Sequence, residues 1–291
     1  MDNATTTLHA VIQQARQRLE RAGIQPAEAA LDADLLARHA LGGWERGQLI
    51  ANWREPATAE LLDQYEPLVA RRERREPTAY ITGHREFWGI EIDVEPGVLI
   101  PRPETELIVE EVLDRLANSV LRIADVGTGS GCLAVALARW LPTAHIVATD
   151  VSPDALAVAG RNIARLEVQD RVTLMRCDLL DATAGFFDVI VSNPPYIPTG
   201  DLASLQPEIL SYEPRLALDA GPDGLDLIRR LVPTAASRLA PDGWLVFEFG
   251  DGQAAGVRAI IEAEPRLAVV ALRDDLAGIP RIAIARRHVV A

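Results

Sequence analysis

Four consecutive residues, Asn193, Pro194, Pro195 and Tyr196, form the segment with the clearest chemical potential. The two prolines cannot continue a β-ladder and they hold the chain extended, so the Asn193 side chain and the Pro194 carbonyl become two neighbouring acceptors. Two acceptors match one NH2 group. An amide or aromatic amine nitrogen is a poor nucleophile because its lone pair is delocalised, and accepting both of its N–H bonds favours reaction with an electrophilic methyl group. Tyr196 is suited to lie on the planar group, although packing alone would also explain it.

A glycine-rich segment joins a predicted strand, residues 121–126, to a predicted helix that begins at Cys132. The segment consists of Gly127, Thr128, Gly129, Ser130 and Gly131. Glycines allow sharp turns and close approach to a ligand, and free N–H groups at a helix start suit an anionic group. The dinucleotide fingerprint needs a third glycine where this chain has Cys132, so the spacing disfavours NAD and FAD.

Two aspartates follow the next two predicted strands. Asp150 comes after residues 145–149 and before Ser152, so it stands at the carboxyl edge of a strand, where a carboxylate suits a ribose diol. Asp178 repeats this placement one strand later and is suited to accept a hydrogen bond from an adenine amino group. A helix-capping or loop-entry role is the alternative for both carboxylates.

These residues require a sheet whose strand ends meet at one edge. From residue 105 onward, short apolar strands alternate with helical stretches. The predicted strands cover residues 122–126, 145–149, 172–176, 188–192, 244–249, 267–272 and 281–285. This alternation predicts an α/β fold over residues 105–291, a doubly wound parallel sheet with an antiparallel edge near its end.

The region before the predicted sheet has a different pattern of apolar residues. Residues 1–76 carry apolar side chains at helical spacing and predict a small helical bundle, whose third helix covers residues 57–75. Residues 77–104 contain an alternating stretch, 90–94, then a Pro-Gly turn and the apolar run 98–100. We therefore expect a β-hairpin linker there.

Composition narrows the functional classes. The chain has 291 residues and a formal net charge of -13, which disfavours binding to extended duplex DNA. It contains no lysine, so P-loop and Schiff-base chemistry are excluded. Cys132 and Cys177 are predicted to be free thiols, and the five histidines are too scattered for a metal site. The first residues have no secretory signal pattern and no stretch is long enough to span a membrane, so we expect a cytoplasmic protein.

Several longer strings carry a family resemblance. They are PTAYITG (77–83), EFWG (86–89), GVLIPRPETE (97–106), NPPYIP (193–198), LQPE (205–208), YEP (212–214) and GPDGL (221–225). With these strings the chain resembles the class I S-adenosylmethionine-dependent methyltransferases. Within that class it is similar to the peptide chain release factor N5-glutamine methyltransferases, the PrmC/HemK family.

The resemblance implies a seven-stranded methyltransferase sheet preceded by a helical substrate-recognition domain. It also implies methyl transfer from S-adenosyl-L-methionine, with S-adenosyl-L-homocysteine as product, to the side-chain amide nitrogen of a glutamine. That glutamine belongs to the Gly-Gly-Gln motif of class 1 peptide chain release factors, the implied protein partners. No membrane and no nucleic acid partner is expected.

The implied roles map onto particular positions. The cofactor-binding residues are Gly127, Thr128, Gly129, Ser130, Gly131, Asp150, Asp178, Leu179 and Asn193. Asn193, Pro194, Pro195 and Tyr196 hold the substrate glutamine, and Asn193, Pro194 and Tyr196 are the catalytic residues. Some relatives have an aromatic residue at the position of Leu179, so adenine packing there is expected to be aliphatic.

Three alternatives stay open at this point. A ribosomal protein glutamine methyltransferase would use the same four-residue motif. A DNA adenine N6-methyltransferase faces the same lone-pair problem at an exocyclic amine and would flip its base out of the duplex, although the acidic charge disfavours it. A helical adaptor fused to an inactive nucleoside-binding domain would not need the glycine segment or Asn193, both of which are intact.

Overall fold

A computed structural model describes residues 6–116 and 121–288. The helices, numbered in chain order, are α1 (Leu8–Arg21), α2 (Pro26–Ala40), α3 (Arg46–Ala51), α4 (Ala59–Glu73), α5 (Thr78–Thr82), α6 (Glu106–Leu116), α7 (Cys132–Trp140), α8 (Pro153–Arg165), α9 (Pro207–Tyr212), α10 (Asp226–Arg238) and α11 (Ala254–Glu262). The strands are β1 (His84–Phe87), β2 (Ile90–Asp93), β3 (Arg122–Val126), β4 (His145–Asp150), β5 (Val172–Arg176), β6 (Phe187–Ser192), β7 (Leu239–Glu248), β8 (Leu267–Asp274) and β9 (Pro280–Arg287).

The chain divides into two compact units. One unit comprises Met1–Gly83 and Gln206–Tyr212, and the other comprises His84–Leu205 and Glu213–Ala291. The first unit therefore takes in α9, a helix far along the sequence. The sequence-based division at residues 76 and 104 stays a prediction about domain function.

The first unit confirms the expected helical region. In α1 the buried residues lie three or four positions apart, as in Val11, Ala15 and Leu19, because that spacing repeats on one face of a helix. They pack with buried side chains of α2 and α4, among them Leu36 and Tyr65. The Tyr65 hydroxyl is buried, so it needs a partner, and it donates to the Ala33 carbonyl at 2.9 Å.

A buried arginine holds α9 within this unit. The Arg72 side chain of α4 is only 1% exposed. Its Nε donates to Asp32 at 2.6 Å and its Nη1 donates to Glu208 at 2.8 Å. Arg75 also donates to Glu208, at 2.7 Å. Because a buried charge is stable only with partners, these carboxylates fix the position of α9 against α2 and α4.

The expected β-hairpin is present, but its strands differ from the prediction. β1 pairs with β2 in antiparallel register, whereas the apolar run 98–100 forms no strand. The turn is the two-residue loop Trp88-Gly89, in which both residues have positive φ angles of 52° and 68°. Such turns match the twist of paired strands. β1 was not predicted from the sequence because His-Arg-Glu-Phe lacks an alternating apolar pattern.

The second unit contains the predicted doubly wound sheet. In the part of the chain that the structure describes, seven strands form one sheet in the order β5-β4-β3-β6-β7-β9-β8. β3 pairs in parallel with both β4 and β6. β9 is antiparallel to β7 and β8 and lies between them, so the antiparallel strand is next to the edge and not at it.

The centre of the sheet explains why its strands read as continuous apolar runs. Val189, Ile190 and Val191 of β6 are fully buried, although their side chains alternate between the two faces. Helices therefore cover both faces at this point. The strands that follow β3 in the chain, β4 and β5, lie on one side of it, and β6 lies on the other side, so the strand order reverses next to β3. In such sheets, ligands bind at this reversal point, beside the carboxyl ends of the strands.

Candidate active site

A cavity of about 650 Å³ lies at the carboxyl ends of β3, β4 and β6. Eight of the predicted site residues line it: Gly127, Gly129, Asp150, Asp178, Leu179, Asn193, Pro194 and Pro195. The other four, Thr128, Ser130, Gly131 and Tyr196, are not among the lining residues. The structure therefore brings most of the predicted residues together and gives the remainder other surroundings.

The three glycines of the loop after β3 have two different functions. Gly127 and Gly129 have positive φ angles of 73° and 55°, and a Cβ added at either would meet no atom within 4 Å. They therefore leave open space at the cavity wall. Gly131 has a φ of 82°, and its added Cβ would lie 3.1 Å from the Cβ of Ala159 in α8. Gly131 thus permits helix packing and not ligand contact.

Asp150 is oriented by two backbone groups. Its Oδ2 accepts from the Gly129 N–H at 3.0 Å and its Oδ1 accepts from the Ser152 N–H at 2.9 Å. A carboxylate oxygen has two lone pairs, so each oxygen retains acceptor capacity toward the cavity. This geometry suits a ligand diol held beside the glycine loop.

Asp125 is a buried carboxyl group beside the glycine loop that sequence reasoning missed, and it does not line the cavity. It is fully buried near the end of β3, and burial raises its pKa to about 7, against the opposing effect of the Thr128 hydroxyl. Thr128 Oγ1 donates to Asp125 Oδ2 at 2.6 Å. Asp125 Oδ1 and Ser130 Oγ have no hydrogen-bond partner among the described residues. An acidic residue within an apolar strand, directly before the glycine loop, was the signal that could have identified it.

Asp178 and Leu179 line the cavity beyond β5. Leu179 adopts a φ of 48°, and its carbonyl accepts from Thr149 Oγ1 at 2.8 Å, which holds the Leu179 backbone in place. Asp178 pairs with Arg230 of α10 at 2.5 Å. The role of Asp178 toward an adenine amino group stays a prediction, and any such bond would share the carboxylate with Arg230.

The Asn193 amide is held by a hydroxyl that the sequence did not indicate. Asn193 Nδ2 donates to Thr105 Oγ1 at 2.8 Å. Because its NH2 group is engaged there, its Oδ1 is the acceptor that remains. Among the described residues, neither Asn193 Oδ1 nor the Pro194 carbonyl is paired with another protein group. Both predicted acceptors are therefore available.

The Tyr196 side chain is anchored by its hydroxyl, and the residue is not among those that line the cavity. The hydroxyl donates to Glu248 Oε1 at 3.0 Å, and burial, reinforced by Glu248, raises the Tyr196 pKa. A Cβ added at Gly250 would lie 3.1 Å from the Tyr196 ring. Gly250 therefore lets the ring pack closely. Stacking of Tyr196 on a substrate stays a prediction.

A partly buried ion pair joins two segments that each contribute residues to the cavity wall. Arg102 Nη2 donates to both carboxylate oxygens of Glu213 at 2.8 Å. Burial raises the Glu213 pKa and the arginine opposes this effect. Val98 and Pro214 line the cavity a few residues away. The family-like string around Arg102 contained this residue, but nothing in the sequence indicated its partner.

Residues 6–116 and 121–288, the described ranges, lack two further features. Within them, no group of three or more histidine, cysteine or acidic residues is arranged to hold a metal ion. No helix there has the length and apolarity that crossing a membrane requires.

Comparison with known proteins places the chain in a family. The family model of the PrmC N-terminal domain matches residues 10–83, and that of the methyltransferase small domain matches residues 103–210. A release factor glutamine methyltransferase of Geobacter sulfurreducens is 47% identical over 85% of this chain and 86% of its own length. The chain belongs to the release factor glutamine methyltransferase family. Another member, from Moorella thermoacetica, is 40% identical over 97% of this chain and 99% of its own length.

Solved structures agree on the fold. The catalytic domain of hMettl16, in complex with MAT2A 3′UTR hairpin 6, superposes with a TM-score of 0.57 at 19% identity. The match covers 77% of this chain and 82% of that one. The family membership confirms the resemblance drawn from the sequence strings, and the structural likeness confirms the methyltransferase fold.

Proposed function

We propose that the protein transfers a methyl group from S-adenosylmethionine to the side-chain amide nitrogen of the glutamine in the Gly-Gly-Gln motif of class 1 peptide chain release factors. The observation that carries this proposal is the orientation of Asn193 at the cavity wall. Its NH2 group is bound by Thr105, so its oxygen and the Pro194 carbonyl offer two adjacent acceptors for one substrate NH2.

The cavity fits the proposed cofactor. Its volume of about 650 Å³ lies within the range typical of small-molecule sites. The open space at Gly127 and Gly129 admits close approach of a ligand to the backbone. Asp150 offers oriented acceptors for a ribose diol, and Leu179 offers an apolar surface for a base.

S-adenosylmethionine, when bound, supplies an electrophilic methyl group on a positively charged sulfur. The residues of this chain contribute positioning and electrostatics. Asn193 Oδ1 and the Pro194 carbonyl accept the two N–H bonds of the substrate amide, which favours the geometry in which the nitrogen lone pair faces the methyl group. These acceptors also stabilise the positive charge that develops on the nitrogen as the N–C bond forms and the C–S bond of the donor breaks, which leaves S-adenosylhomocysteine. The nitrogen then releases one N–H proton to solvent, and the methylated amide is neutral.

The N-terminal region contributes recognition in this proposal. We assign residues 1–76 to contact with the release factor, with residues 77–104 as the linker and residues 105–291 as the catalytic region. The match of the PrmC N-terminal domain model to residues 10–83 supports this assignment. We place the reaction in the cytoplasm, where free thiols such as Cys132 and Cys177 persist.

The direct test offers purified release factor and methyl-labelled S-adenosylmethionine to the protein. Mass spectrometry of the peptide that contains Gly-Gly-Gln is expected to show one added methyl group, located on the glutamine by fragmentation. A release factor with that glutamine changed to asparagine is the matched control. Ribosomal proteins and adenine-containing DNA are offered in parallel, and a methyl group found only on one of them would refute the proposal.

The change Asn193→Ala tests the chemistry. It removes one of two acceptors, so we expect kcat to fall about 10²-fold or more while S-adenosylmethionine affinity changes little. Steady-state kinetics and titration calorimetry measure the two quantities. Equal losses of turnover and cofactor affinity together with a lower Tm would indicate a folding defect, whereas an unchanged kcat at an unchanged Tm would contradict the assigned role.

A further inference from the structure

A chain of four polar side chains runs inward from the cavity wall. Asn193 Nδ2 donates to Thr105 Oγ1 at 2.8 Å, and Thr105 Oγ1 donates to Glu248 Oε2 at 2.6 Å. Tyr196 donates to the other oxygen, Glu248 Oε1, at 3.0 Å. Thr105 is 2% exposed and Glu248 is 1% exposed, so water does not compete for these bonds.

The direction of each bond follows from the charge on Glu248. An ionised carboxylate can only accept hydrogen bonds, so Thr105 must turn its single hydroxyl hydrogen toward Glu248. The Thr105 oxygen then presents only lone pairs toward Asn193. A lone pair attracts the NH2 group of the amide and repels its oxygen. The Asn193 amide is therefore held with its oxygen away from Thr105.

We propose that Thr105 and Glu248 are positioning residues, which act through Asn193 and set its amide with the oxygen toward the cavity. The inference rests on the proposed function in one respect, that Asn193 accepts a hydrogen bond from the NH2 group of the substrate. Neither Thr105 nor Glu248 lines the cavity. Their effect on methyl transfer is transmitted by the two hydrogen bonds.

The opposite charge state reverses the arrangement. A protonated Glu248 can donate to Thr105, whose hydroxyl hydrogen then turns toward Asn193. The amide oxygen of Asn193 would take that hydrogen, and its NH2 group would face the cavity as a donor. A donor in this position repels the substrate NH2. This relay, the hydrogen-bonded series from Glu248 through Thr105 to Asn193, therefore makes methyl transfer dependent on the ionisation of Glu248.

The surroundings of Glu248 bring its pKa into a pH range that is accessible to experiment. Burial raises the Glu248 pKa to about 7, and the charge of Glu104 adds to that effect. The hydroxyls of Thr105 and Tyr196 and the cation of Arg281 oppose it. Glu248 is ionised above this pKa, so we expect kcat to fall as the pH is lowered through it.

The first test separates the hydroxyl from the shape of its side chain. Thr105→Val removes the hydroxyl at nearly constant volume, and we expect kcat to fall about 10- to 100-fold with unchanged S-adenosylmethionine affinity. Thr105→Ser keeps the hydroxyl and is expected to restore kcat. Thr183→Val removes another buried hydroxyl of the same unit, one that neither lines the cavity nor bonds to Asn193, and serves as the matched control.

A double-mutant cycle with Asn193→Ala supplies the readout that a purely structural role would not move. Because Thr105 acts through Asn193, Thr105→Val should cost little further turnover once Asn193 is alanine. Additive losses, or a Thr105→Val protein whose kcat stays within about twofold of the unmodified protein, would overturn the proposal.

The pH profile of kcat gives a second criterion. An acid limb that persists in Thr105→Val belongs to another group, such as the buried carboxyls of Asp125 and Glu213, whose pKa values are also raised. That result would also overturn the proposal.

A spectroscopic measurement keeps the relay testable apart from the reaction. The side-chain amide resonances of Asn193 and the carboxyl carbon of Glu248 are followed by NMR between pH 5 and 9, a range of about two units around neutrality. We expect both to shift with one midpoint in the unmodified protein, and the Asn193 shift to vanish in Thr105→Val. If this holds while no release factor is methylated, only the proposed function fails. Independent titration of the two residues would refute the relay itself.

Discussion

Replacing Glu248 by glutamine should change how the stability of the protein depends on pH. Glu248 is buried at the end of β7, and burial raises its pKa from an ordinary value of 4.5 to about 7. Between these two pH values the folded protein binds more protons at this site than the unfolded chain does. The free energy of unfolding therefore falls as the pH rises through this window.

The magnitude follows from the same two values. Each unit of pKa difference corresponds to about 1.4 kcal/mol, so the rise from 4.5 to about 7 amounts to about 3 kcal/mol. This contribution is fully present below pH 4.5 and is lost as the pH rises through 7. Glutamine does not titrate, so Glu248→Gln lacks this pH dependence. Asp125, which also has a raised pKa, remains in both proteins and its effect cancels in the comparison.

Urea unfolding at a series of pH values measures the difference. We expect the unmodified protein to lose about 3 kcal/mol relative to Glu248→Gln between pH 4.5 and 8, with the steepest change between about 5 and 7. Turnover should change in the opposite direction, since the relay through Thr105 needs the carboxylate. A stability difference that does not vary with pH, or that grows in favour of the unmodified protein as pH rises, would refute the reasoning.

Two further changes probe the cofactor side of the site. Asp150→Asn removes a charged acceptor and turns an NH2 group toward one of two backbone N–H donors, so we expect S-adenosylmethionine affinity to fall about 10- to 100-fold in titration calorimetry, with some loss of Tm; an unchanged affinity would remove Asp150 from the site. Gly131→Ala places a Cβ about 3 Å from Ala159 at a positive φ, so we expect a loss of about 1–3 kcal/mol in urea unfolding, partly recovered by adding Ala159→Gly. Weaker cofactor binding without loss of stability would contradict this packing role.

Local sequence patterns were sufficient to predict the sheet and the loops that line the cavity. Apolar runs that end in Asp150, Asn193 or the glycine loop predict where parallel strands stop, because backbone periodicity and turn chemistry are properties of neighbouring residues. The observed β3 and β5 have the predicted bounds, and β4 and β6 differ from prediction by one residue at one end. The hairpin shows the limit of such patterns. The sequence predicted a turn at Pro96-Gly97, whereas Trp88-Gly89, with both φ angles positive, provides the turn that pairs the strands.

What only the tertiary structure decided is the set of side-chain partners. Thr105 binds Asn193 across 88 residues and Glu248 across 143 residues, and neither Thr105 nor Glu248 stood out in the sequence. The sequence by itself determined the doubly wound fold and the acceptor segment at Asn193. The strand order then set which distant residues meet, because hydrogen bonds reach only about 3 Å and such proximity depends on how the strands are arranged. These contacts between distant residues decide the direction in which the Asn193 amide points.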